Sequence, residues 1–216
     1  EIHRSFRFSR ALQLKPIGIH DLSDEPLVKS FCRESDLDRY SEEQLLDYCK
    51  DLRDRINAKS ENLLNTSVGI YTMETSKLFV SENRELDQNY AWVNGMVSVI
   101  WRENDQTVQF GSGENEPTIA AVLEKLPGVV EEVLHTAHML TTAKPMVPGE
   151  YDIVTDTHMT GLICHEAFGH GVEMDMFVKD RALAKEYVGK YVASPICNMR
   201  DGAASALSAG SYFFDD

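Results

Sequence analysis

A chain of 216 residues is long enough to bury a core as one large domain or two small ones, and 43% apolar with 26% charged residues excludes a disordered polypeptide. The formal charge of −14, scattered along the chain, repels phosphate backbones and argues against nucleic-acid binding. The sequence shows neither a long apolar run nor a signal-peptide core, and its four cysteines form no CxxC pair, so a cytoplasmic protein that neither spans a membrane nor leaves the cell is expected.

The chain opens on an alternating, strand-like run, IHRSFRF, and closes on AGSYFFDD without a helix end or polar tail, which suggests a piece of a longer polypeptide. The next stretch, KPIGIHDLSDEPLVKSFCRESDLDRY, is rich in Pro, Asp and Ser and reads as loop and short turns. From Ser41 the pattern becomes helical: a serine N-cap, acids in the first turn, and Leu45, Leu46, Cys49, Leu52 and Ile56 on one face. Residues 1–66 are read as an N-terminal segment and residues 67–216 as an α+β domain carrying the motif described below.

Residues 67–112 are rich in Val, Ile, Tyr, Trp and Thr, with Glu-Asn and Asn-Asp turn signals, and predict three strands of an antiparallel meander. Trp92 and Trp101 on these strands are expected to fill the core. EPTIAAVLEKLPGVVEEVLHTAHML returns to helical spacing, broken by Pro127 and Gly128 into a short and a long helix, with His135 and His138 on a partly exposed face. A short buried strand is expected at Tyr151–Val154, a helix after it, then a charged loop or helix and a strand around Tyr191–Ile196.

The helix after Val154 carries TGLICHEAFGHGVEMD, residues 160–175, with Glu166 beside His165 and His170 five positions on. Two histidines and a flanking glutamate are parts of a catalytic zinc site, which takes three protein ligands and leaves a position for water. In the common zincin motif the histidines stand four apart on one helix face. At a separation of five, a regular helix leaves them about 140° apart, too far round for one ion. The metal reading therefore requires an irregular turn at Phe168–Gly171, of the widened i→i+5 kind, with Gly169 and Gly171 supplying backbone freedom. The preceding TGLICHEAF is expected to be buried. Glu166 points about 100° away from His165 and suits a general base acting on water better than a ligand. The plain alternative is a structural helix that happens to carry two histidines. Cys164 is read as core, and His158, just before the motif, as a residue able to polarise a substrate.

HEAFGHGVEMD resembles the site of the TldD/PmbA family of zinc-dependent peptidases, formerly called modulators of DNA gyrase, and in particular the TldD-type subunit with its HExxxH motif. PGEYDIVTD…TGLICHEAFGHG before it and GKYVASP…FFDD after it follow the same family pattern, and the similarity covers residues 67–216. The resemblance implies that His165 and His170 bind Zn2+, that Glu166 is the catalytic base, and that the third ligand is a cysteine of a C-terminal domain absent from this chain. Substitutes within the chain are Cys197, Glu173 and Asp175, and zinc is expected to be weak or absent without the third ligand, since two imidazoles do not close a chelate. The implied partners are a peptide substrate from unfolded or precursor polypeptides and a PmbA/TldE-like subunit or second copy, with no nucleic acid and no membrane. The competing reading is a non-catalytic dimerisation or regulatory module of a peptidase complex.

Overall fold

The structure, a computed structural model, describes residues 25–200, 202 and 211–214; the strand expected at the chain's start lies outside them. Helix α1 (Glu42–Asn57) begins where the sequence places it. Ser41 Oγ accepts from the Gln44 N–H at 3.2 Å while Gln44 Oε1 accepts from the Ser41 N–H at 2.8 Å, a capping box that satisfies two otherwise orphaned donors.

The three expected strands form as β2 (Leu63–Val80), β3 (Arg84–Glu103) and β4 (Gln106–Glu116). β3 is the centre of the sheet. β2 runs antiparallel along nearly its whole length, and β4 pairs antiparallel with its C-terminal half, Val93 facing Glu116 and Glu103 facing Gln106. Asn104 and Asp105 connect β3 to β4 with φ of 52° and 59°, the left-handed conformation that Asn and Asp tolerate in two-residue hairpins. The N-terminal half of β3 pairs in parallel with β1 (Leu27–Cys32), Leu27 facing Arg84 and Cys32 facing Asn89.

β1 corrects the sequence reading, which expects loop there. Its residues, LVKSFC, are mostly exposed and mix polar with apolar, so local pattern carries no burial signal, and the pairing that defines the strand comes from a segment far along the chain.

Helices α2 (Ile119–Lys125) and α3 (Val130–Leu140) flank a 3-10 turn at Leu126–Val129, the break expected at Pro127 and Gly128. Buried Asp36 accepts from the Ile119 and Ala120 N–H groups at 2.7 and 2.9 Å, tying the start of α2 to the loop after β1. Alternate residues of β3 (Val93, Val97, Val99 and Trp101) meet Leu52 and Ile56 of α1, Ile119 and Val122 of α2, and Val130, Val133 and Ala137 of α3. Trp92 is buried as well. The architecture is therefore α+β: a mixed four-stranded sheet, antiparallel except for β1, with helices packed against it. No helix among the described residues is long and apolar enough to cross a membrane.

Beyond α3 the chain differs more from the sequence reading. Tyr151–Val154 is mostly exposed and forms no strand, and residues 191–196 form bends and turns instead of a strand. Both stretches are apolar enough to suit a buried strand, but a strand needs a neighbour to satisfy its backbone.

Candidate metal centre

Helix α4 (Thr157–Ala167) starts at Asp156, whose carboxylate accepts from the Met159 N–H at 2.7 Å. His158 lies in its first turn, and it stands outside the cluster formed by the motif. The helix is not buried. Leu162, Ile163, His165 and Glu166 are exposed and Cys164 is only half-buried, which corrects both the buried TGLICHEAF and the core Cys164 of the sequence reading.

The regular helix ends at Ala167. Phe168 leaves helical geometry at φ −141° and ψ −34°, and a 3-10 turn follows over Gly169–Val172. The irregularity falls where the spacing demands it, but it is a break into a tighter 3-10 turn and not a widened i→i+5 bulge. Neither Gly169 nor Gly171 adopts positive φ, and a Cβ on either would meet only ordinary contacts. Phe168 supplies the rotation.

The break swings His170 back over the end of α4, and the His165 and His170 rings stand 4.4 Å apart between centroids, edge to face. One ligand atom from each of His165, Glu166 and His170 lies within 4.8 Å of the other two. Glu166 Oε2 is 3.8 Å from His170 Nε2. The i,i+4 spacing of Glu166 and His170 is the sequence signal for this approach, which the pairing of Glu166 with His165 does not reveal. On its other side His170 Nδ1 is 2.7 Å from Glu173 Oε1. Asp175 is engaged elsewhere: its hydrogen bond from Lys179, at 2.6 Å, holds its carboxyl below the usual range. Cys197 is exposed, and neither it nor Asp175 belongs to the cluster.

Residues 148–216 match the family model described as the PmbA/TldA metallopeptidase C-terminal domain, and the motif lies within the match. Over 172 residues the chain is 31% identical to a metalloprotease of Synechocystis, covering 78% of this chain and 37% of the relative. The motif segment carries a domain of the TldD/PmbA family, and the chain is similar to metalloproteases that include TldD homologues. A metalloprotease of Methanocaldococcus jannaschii is 26% identical across 74% of this chain and 36% of its own length. A TldD homologue of Buchnera aphidicola is 30% identical over 40% of this chain and 18% of its own. The chain thus spans little more than a third of the length of the curated metalloproteases it matches. The fold also resembles a crystal structure of a proposed modulator of DNA gyrase from Bacteroides thetaiotaomicron, with a TM-score of 0.61 and 11% identity over 83% of this chain and 39% of the other.

The relatives' names imply a metal, and the residues here fit one. Tetrahedral zinc with bonds of about 2.1 Å sets its ligand atoms roughly 3.4 Å apart. The His165 and His170 donors are within 4.8 Å of each other on exposed side chains, so ordinary torsional adjustment closes the difference with Glu166 beside them.

Proposed function

We propose that this chain carries the metal-binding and water-activating residues of a zinc peptidase that hydrolyses peptide bonds in unfolded or precursor polypeptides. The observation that carries the reading is the convergence of His165, Glu166 and His170 at a helix end that breaks where five-residue spacing requires it. Zinc bound there lowers the pKa of water toward about 7 and polarises a peptide carbonyl. His165 and His170 supply imidazole ligands, and a cysteine from elsewhere in the polypeptide completes the set. Glu166 takes the proton of the attacking water and returns it to the leaving amine, a role that needs a carboxylate beside the site without requiring ligation. A PmbA/TldE-like subunit or a second copy covers the exposed motif and excludes solvent. A cytoplasmic setting suits the unpaired cysteines.

A second reading, a non-catalytic regulatory module, draws on the exposure of all three motif side chains. Metal and activity separate the two. The full-length protein should hold about one zinc per chain, and Glu166→Gln should keep the zinc while losing at least about 100-fold in peptide cleavage. Metal-free full-length protein would rule out the peptidase reading. Undiminished cleavage by Glu166→Gln would remove Glu166 as the base.

A further inference from the structure

His170 presents its two ring nitrogens to two carboxylates with different geometry. Nε2 faces Glu166, a fellow member of the cluster, at 3.8 Å, beyond hydrogen-bond distance. Nδ1 meets Glu173 at 2.7 Å, a hydrogen bond. The backbone explains this pairing: residues three apart eclipse in a 3-10 turn, and the turn over Gly169–Val172 brings Glu173 to the Nδ1 edge of the His170 ring.

We propose that Glu173 is a positioning residue, and not a metal ligand: it accepts the Nδ1–H of His170, fixes the tautomer whose lone pair lies on Nε2, and holds the ring toward the ion. The inference rests on the metal reading above. A carboxylate behind a ligating imidazole orients the ring and raises its basicity, and losing such a partner weakens metal binding about 10- to 100-fold. Asp175, two residues further on, has the same charge but pairs with Lys179, so it provides an internal control.

The test measures zinc affinity of the full-length protein by competition with a chromophoric chelator, and records the visible spectrum of the cobalt-substituted protein. Glu173→Ala should weaken zinc about 10- to 100-fold and alter the cobalt bands. Glu173→Gln keeps a carbonyl acceptor without the charge and should lie between it and wild type, while Asp175→Asn should match wild type. Thermal unfolding of the zinc-free protein should be unchanged in Glu173→Ala, because the side chain is half exposed. Wild-type affinity and spectrum in Glu173→Ala, or an equal loss in Asp175→Asn, would overturn the proposal. Wild-type protein that binds no zinc would instead overturn the metal reading, and this assignment with it.

Discussion

Glu103 takes two donors on one oxygen at the end of β3: His138 of α3 at 2.7 Å and the Trp101 indole N–H at 3.0 Å. These hydrogen bonds, the one with His138 first, hold its carboxyl below the ordinary carboxylate range. A group whose pKa is lower in the folded state stabilises the fold above its unfolded value, and that contribution disappears as pH falls through the folded value. The stability difference between wild type and Glu103→Gln should therefore be present above the ordinary carboxylate range and shrink as pH falls below it, in denaturation midpoints taken across that range. A difference independent of pH would mean that packing, and not charge, is what the substitution disturbs. At this scale the sequence discloses residue types better than partners. His138 on a partly exposed helix face was legible; its carboxylate, 35 residues earlier, was not, because only the packing of α3 on the sheet brings them together. Glu173 shows the same limit: its spacing from His170 is visible, but whether it ligates or orients depends on a turn type that spacing alone leaves open.

β2, β3 and β4 were legible because β-branched and aromatic residues cluster between polar turns, and α1 because cap, charge and apolar period agree. β1 was not legible, since its only signature is a distant parallel partner. The motif helix falls between these cases. Five-residue spacing demands a rotation somewhere after Ala167, but a widened turn and a break at Phe168 both provide one, and the sequence does not choose. Close approach between elements is likewise invisible until they meet. Gly95 on β3 sits under α2 and the 3-10 turn after it, where an added Cβ would overlap Val122 Cγ1 and lie 3.1 Å from Leu126 Cδ2. Gly69 on β2 would meet only the flexible ring of Tyr71, at 3.2 Å. Glycine within a strand costs about 0.5–1 kcal/mol relative to alanine when nothing else intervenes, so Gly69→Ala should be neutral or slightly stabilising. Gly95→Ala should instead lose about 1–3 kcal/mol through overpacking. Urea denaturation of both variants checks this, and equal effects would show that the helices yield without cost.

Across the whole molecule apolar residues serve two different ends. Around β3 they are enclosed, whereas from Met146 to Ile196 many face solvent, with Val154 fully exposed and Ile153 at 75%. Reading Tyr151–Val154 as a buried strand took apolar content as burial, but burial also needs a facing surface, which no local pattern displays. One fastening downstream of the motif does reach the sheet. Gln88 on β3 is completely buried; its side-chain amide donates to the Phe214 carbonyl at 2.7 Å and its Oε1 accepts from the Phe213 N–H at 3.0 Å. The rings of Phe213 and Phe214 rest near Phe31 of β1 and Phe79 of β2, at centroid distances of 6.3 and 6.4 Å. Replacing Gln88 by leucine keeps the volume but strips both backbone groups of their partner, and each group left buried would cost about 1–3 kcal/mol. Exposure of these groups to water relieves that cost, while the ladder between β3 and β4 requires nothing from Gln88 and stays closed. In Gln88→Leu the Phe213 amide should therefore lose its protection from hydrogen exchange, and the amides of β3 paired with β4 should keep theirs. Retained protection at Phe213 would show that the segment's other contacts, the Arg33 hydrogen bond to the Ser211 carbonyl among them, hold it down without Gln88.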